Sequence, residues 1–325
     1  MWKTEILEEA VLRFQGDPAS ISLLGGLHQN VYEYERNGEA SILKLIPFAT
    51  KDRNLVYSEL QWIAFLRKNG LQVPTPMLSK RGSTIEVINR LPVPCCVISF
   101  PKSEGKLLHE HIETYWNPNF FKKWGQTMGK LHSLTPKFQK ANTDLIFEEW
   151  NEGEVFYRDF SFIDPAIVEV WVKCINKVPH FEKTEESYGI IHNSFHHENF
   201  FITSAGDLLL FNLNHCKHHY FTYDIGTALF HSLKLVEQHE QPDFVKMFLS
   251  SFAEGYQQEK SLVRDWEEQV FFFTMYRQLM VNLKQAIFLQ GGVLTKEQRE
   301  ELLAQKRNLL PGDYVLYWQK ILQLR

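Results

Sequence analysis

The feature that most constrains this chain is a change of hydrophobic period near Pro101. Ahead of it, residues 20–24, 31–36 and 40–46 read as short strands, because apolar side chains recurring at every second position fill one face of a pleated ribbon. Asn37-Gly38 joins the second to the third. That dipeptide suits a type I′ turn, which needs positive φ at both central positions, so three antiparallel strands follow. Residues 54–69 carry Leu55, Leu60, Trp62, Ile63 and Leu66 at helical spacing, and Gly70 stands where a glycine commonly ends a helix. Two further strand-like runs, 84–88 and 95–100, come after Pro74 and Pro76. A small five-stranded sheet with one helix is therefore expected.

Beyond Pro101 the period lengthens, and helices are expected at 120–134, 166–177, 228–236, 244–260 and 266–289. One β-like island interrupts them. Residues 199–202 and 208–213 flank Ser204-Ala205-Gly206-Asp207, which has the composition of a hairpin turn. The expected fold class is α+β in two lobes: residues 1–100 form a small antiparallel-sheet lobe and residues 101–325 a larger helical one. A length of 325 residues suits two units better than one core.

Composition excludes several classes. With 44% hydrophobic and 23% charged residues the chain is too apolar for disorder. A formal charge of -4, with no stripe of Lys or Arg, leaves no footprint for nucleic acid. Cys95, Cys96, Cys174 and Cys216 lack C-x-x-C spacing, so buried free thiols and a reducing, cytoplasmic setting are expected. Glu5, Glu8 and Glu9 sit where a signal peptide needs a basic start and an apolar stretch. No apolar run approaches the ~18 residues of a spanning helix, so no membrane partner is expected.

Candidate chemistry is concentrated in four places. Gly25-Gly26-Leu27-His28-Gln29-Asn30 lies between the first two strands, where glycine lets backbone amides approach a phosphate, although the run by itself is also an ordinary turn. Lys44 is a charge inside the apolar strand 42–46, and Glu59, in the following helix, has the order and spacing of the glutamate that pairs with a nucleotide-holding lysine in kinases. The third is His192-Asn193-Ser194-Phe195-His196-His197-Glu198-Asn199, and the fourth the strand that leads to Asn212 and Asn214. Six of the 13 histidines fall between His192 and His219; imidazoles at this density can hold Zn²⁺, but without H-E-x-x-H or thiol spacing they read as exposed or hydrogen-bonding groups.

Taken in order, these motifs resemble the aminoglycoside phosphotransferase and choline kinase family, which has a protein-kinase-like fold. Residues 192–199 are similar to its H-G-D-x-H-x-x-N loop, and Asn212 falls in its I-D-F-D strand. Trp124 to His132 is similar to its helix ending in Leu-His, and Tyr223-Asp224-Ile225-Gly226 to its later Asp segment. The resemblance implies ATP-dependent transfer to a hydroxyl of a small molecule, with ATP and Mg²⁺ as cofactors and a nucleotide and a small-molecule ligand as partners. It also implies that Gly25, Gly26, Lys44 and Glu59 hold the nucleotide, that His192, Asn199 and the residue at 194 form the catalytic loop, and that Asn199 and the residue at 212 hold the metal.

Two anions of that pattern are missing. Ser194 stands where the family has the aspartate that takes or orients the substrate's proton, a role that needs a group anionic at neutral pH. Asn212 stands at the metal-holding aspartate; its amide oxygen can ligate, but it brings no formal charge. Asn214 replaces the acid two residues later, and no acid lies within two residues of Ser194 or Asn212. The expectation is a family member with a nucleotide-type cleft, impaired transfer, and Mg²⁺ binding weakened or absent. The alternatives are an active kinase using Glu198 as a displaced base, and a structural or assembly role, since the family also includes spore-coat proteins.

Overall fold

The computed structural model describes residues 2–25, 30–49, 51–89 and 94–290. Gly26 of the expected phosphate turn lies outside the described residues. In chain order the first elements are α1 (Thr4–Arg13), β1 (Asp17–Gly25), β2 (Val31–Arg36), β3 (Glu39–Pro47), α2 (Arg53–Lys68), β4 (Glu86–Ile88) and β5 (Cys95–Pro101). There follow α3 (Ile112–Tyr115), α4 (Pro118–Ala141), α5 (Pro165–Lys177), β6 (Tyr188–Ile191), β7 (Phe200–Ile202), β8 (Leu208–Leu210) and β9 (Lys217–Tyr220). The chain closes its described part with α6 (Phe221–Leu233), α7 (Gln241–Tyr256) and α8 (Trp266–Gln290). It divides into two compact units, one formed by Met1–Glu113, Leu134–Phe147 and Glu198–Cys216, the other by Thr114–Ser133, Glu148–His197 and Lys217–Arg325.

The first unit is built on a five-stranded antiparallel sheet in the order β1-β2-β3-β5-β4. Its register is fixed at the β2–β3 turn, where Asn37 and Gly38 take φ of 53° and 81°, the left-handed pair a tight hairpin demands. Leu43 and Leu45 of β3 join Tyr32, Tyr34 and Val97 in a core that α1 covers with Ile6, Leu7, Ala10 and Val11. Among the described residues up to Pro101 there are thus two helices, α1 and α2, rather than the single one expected. The second, α2, starts at Asp52, whose carboxylate accepts from the Asn54 amide at 2.6 Å, and stops at Gly70 with φ of 85°. Its Trp62 stacks against Phe65 and packs on Phe138 with ring centres 4.8 Å apart. The expected hairpin is present as β7 and β8, turned at Gly206 with φ of 77°.

The second unit is mostly helical, with the two-stranded ribbon β6–β9 that the sequence did not announce, each strand being four residues long. α6 is buried along its whole length. Trp150 and Phe156 lie against the core that contains Trp171, Tyr223 and Tyr276, so these aromatics are packing groups, while Tyr157 is exposed. α4 and α7 approach so closely that glycine is required at the contact. A Cβ on Gly255 would lie 1.7 Å from the Lys122 carbonyl oxygen, and one on Gly125 2.0 Å from that of Phe252. Since the obstacle is backbone, the helices themselves must separate. Gly255→Ala is expected to cost about 3 kcal/mol and to lower the melting midpoint by several degrees, read by calorimetry.

The four cysteines are free and buried, as expected. Burial pushes the Cys95 and Cys96 thiols up to about 11 and Cys174 to about 12, so they are protonated and unreactive at neutral pH. No helix among the described residues is long and apolar enough to cross a membrane.

Candidate functional site

In the first unit, β3 alternation sends Leu43 and Leu45 into the core and leaves Lys44 on the other face. Lys44 Nζ donates to Asn214 Oδ1 at 2.5 Å. Glu59, 3% exposed in α2, is ion-paired with Lys51, whose Nζ also donates to the Asn214 carbonyl oxygen at 2.6 Å. Burial lowers the Lys44 pKa to about 8; the Glu59 charge opposes this and the Lys51 charge adds to it. The buried Glu59 carboxylate thus pairs with the Lys51 ammonium and also acts on the charge of Lys44. Gly25, at the end of β1, has φ of 145°, a conformation side chains disfavour, with open space on its Cβ side.

The residues expected at the metal lie in the same unit. Asn212 Nδ2 donates to Asn199 Oδ1 at 3.2 Å, and the Phe211 amide donates to the Asn199 carbonyl oxygen at 3.1 Å. Asn212 is left-handed with φ of 63°, a region asparagine tolerates. Asn199, Asn212 and Asn214 offer amides alone, and the amide oxygen of Asn199 faces a donor rather than a cation. Mg²⁺ ordinarily needs one or two carboxylates besides the nucleotide's phosphates, so this donor set does not fit it. Glu198 is exposed whereas Asn199 is buried, so the two side chains part company.

In the second unit, β6 delivers the chain to the loop that begins at His192. Its geometry is set by Asp224 in the first turn of α6, fully buried, whose two carboxylate oxygens accept from the amides of His192 and Asn193 at 2.8 Å each. His132 Nε2 lies 3.3 Å from the same carboxylate, and its Nδ1 lies 2.9 Å from the Tyr256 hydroxyl. Because the carboxylate only accepts, His132 donates from Nε2 and accepts at Nδ1; burial lowers its pKa and keeps it neutral. Asn193 is left-handed with φ of 66°, where the loop pattern has glycine.

Ser194 sits at the tip. Arg277 of α8, 8% exposed, donates from Nη2 to Ser194 Oγ at 3.3 Å, and from Nη1 to the Asn193 carbonyl oxygen at 3.2 Å and the Tyr223 hydroxyl at 3.1 Å. The serine oxygen thus faces a fixed cation, which opposes proton capture. His192, His196, His197 and His219 are buried rather than exposed. His196 stacks on His231 with ring centres 3.7 Å apart, and burial, aided by the Arg277 charge, lowers the His196 pKa to about 2, so two neutral rings meet without repulsion. His218 instead reaches Glu149 Oε1 at 3.1 Å.

Lys51 and Arg277 were missed by sequence reasoning. The signal for Arg277 was the same as for Lys44, a charge within an apolar run, here after Val270-Phe271-Phe272-Phe273. Lys51 follows its strand by only a few residues and reads as an exposed loop charge.

A profile of the phosphotransferase enzyme family (APH) matches residues 21–267. Amicoumacin kinase of Bacillus subtilis (strain 168) is 22% identical over 314 residues, spanning 95% of this chain and 92% of that protein. Among solved structures, the amicoumacin kinase hAmiN in complex with AMP-PNP, Ca²⁺ and Ami superposes with a TM-score of 0.81 at 23% identity, covering 99% of this chain and 93% of its own. The microcompartment-associated aminopropanol kinase gives 0.66 at 17% identity, covering 98% and 95%. The choline kinase LicA from Streptococcus pneumoniae gives 0.55 at 14%, covering 98% and 97%. With the profile spanning three quarters of its length and the motifs in order, the chain belongs to the phosphotransferase enzyme family.

Proposed function

We propose that this protein keeps the phosphate-binding half of a small-molecule kinase while transferring phosphoryl groups very slowly or not at all. The observation that carries it is Ser194: a hydroxyl, held by the buried Arg277 guanidinium, where the loop pattern has its anionic base. Lys44, with Glu59 and Lys51 behind it and Gly25 at the end of β1, is assigned to the nucleotide's phosphates. Asn199 and Asn212 are assigned the place of the metal ligands, stripped of its charge. The likeness to amicoumacin kinases supports a small hydroxyl-bearing molecule as second ligand.

A screen of hydroxyl-bearing acceptors, amicoumacin among them, with ATP and Mg²⁺ is expected to give no turnover above background. Transfer that Glu198→Gln abolishes would establish Glu198 as a displaced base and sink the proposal. Binding is expected to depend on pH with a definite sign. A base whose pKa has fallen to about 8 loses its proton as pH rises through that value, so nucleotide affinity should drop by about tenfold toward pH 9. Lys44→Arg, always charged, should flatten the profile. Fold stability moves the other way: the folded amine gives up its proton near 8 and the unfolded one near 10.5, so the cost of burying the charged amine is relieved as pH rises between them.

A further inference from the structure

We propose that Asn214 is a removable stopper on Lys44: a nucleotide phosphate binds the amine by taking the place of the Asn214 amide oxygen, so residue 214 sets the affinity of the site. This rests on the reading of Lys44 as the phosphate-binding amine, and asks which protein group competes with phosphate for it. Lys44 Nζ donates to Asn214 Oδ1 at 2.5 Å. Glu59, the carboxylate expected to pair with Lys44, is ion-paired with Lys51 instead and acts on Lys44 through its charge. Among the described residues the amine therefore has a neutral oxygen as its hydrogen-bond partner and no ion pair.

A phosphate oxygen brings a formal charge and an amide oxygen none, so at one ammonium group the phosphate is the stronger partner. Lys44 is half-buried, and burial lowers its pKa to about 8, so little of the amine is left for a second acceptor and the incoming one displaces the first. Asn214 can yield without disturbing its surroundings. Its main-chain oxygen accepts from Lys51 Nζ at 2.6 Å, within the single 3-10 turn Leu213–His215, so the backbone stays tied while the side chain rotates. That side chain is itself half-buried, and its amide nitrogen has only a long contact, 3.4 Å, with His215 Nε2. A carboxylate at 214 would instead form an ion pair with Lys44 that a phosphate has to break. The loss of charge at 214 thus gives the lysine a partner it can exchange.

Titration calorimetry of the full chain with ATP in EDTA tests this, the chelator keeping a carboxylate at 214 from acting through a metal. Asn214→Ala removes the competing oxygen but keeps the main-chain bond to Lys51, and is expected to tighten ATP about fivefold. Asn214→Asp supplies a charged competitor and is expected to weaken ATP by about tenfold or more. A residue that merely supported the fold, or steadied Lys44 for its ligand, would give weaker binding on truncation. A second readout needs no nucleotide: acetylation of lysines, followed by mass spectrometry, should run several-fold faster at Lys44 in Asn214→Ala than in wild type, relative to Lys51. ATP that binds wild type and binds Asn214→Ala equally or more weakly, or an unchanged acetylation ratio, would overturn the proposal and leave the assignment of Lys44 standing. ATP that binds none of the three proteins would remove that assignment and the proposal with it.

Discussion

Returning both missing acids, Ser194→Asp together with Asn212→Asp, is expected to raise transfer from ATP by about 10²-fold, at the low end of the 10²–10⁴ that general-base catalysis supplies. The loop should receive the new aspartate without rearranging. Asp224 already clamps the His192 and Asn193 amides, and Asn193 already occupies the left-handed conformation of the turn. The gain is limited by Arg277, whose guanidinium, 3.3 Å from the present Ser194 oxygen, would lower the pKa of a carboxylate there and weaken it as a base. The change Asn212→Asp supplies what the amide lacks, a charged oxygen for Mg²⁺. Phosphate release and transfer to the hydroxyl panel, assayed with and without Mg²⁺, check this; an inactive double variant would place the loss elsewhere in the molecule.

Asp224→Asn is expected to cost about 3 kcal/mol, and more than any exposed substitution, because one buried carboxylate satisfies two amides and approaches His132. An asparagine offers one oxygen and one N–H₂, so one amide would face a donor. Urea denaturation should show the loss with an unchanged m value if the effect lies in the folded state. A variant as stable as wild type would mean that the clamp is dispensable.

The sheet was legible in the sequence because its signals are local: alternation along β2 and β3, Asn37-Gly38 at the turn, and Gly70 after α2. α1 is less legible, although Ile6, Leu7, Ala10 and Val11 carry helical spacing, because its ten residues span fewer than three turns. β6 and β9 are each too short to show a period and exist only through pairing. At the site, the identity of each loop residue was readable, and so was the loss of charge at 194 and 212. What surrounds them was not. Arg277 lies 83 residues from Ser194 along the chain, and Lys51 reaches the carbonyl oxygen of Asn214, 163 residues further on. Such partners are set by tertiary packing, which no window of sequence contains.

If the two lost carboxylates have uncoupled nucleotide binding from Mg²⁺, the coupling itself is the quantity to measure. Isothermal titration of wild-type protein with ATP, once in Mg²⁺ and once in EDTA at matched ionic strength, reads it directly. Equal dissociation constants in the two buffers are expected, since Asn199, Asn212 and Asn214 bring no charge to a metal and Lys44 acts on the phosphates either way. A tightening of about tenfold or more in Mg²⁺, worth about 1.4 kcal/mol, would contradict it and identify a working metal site.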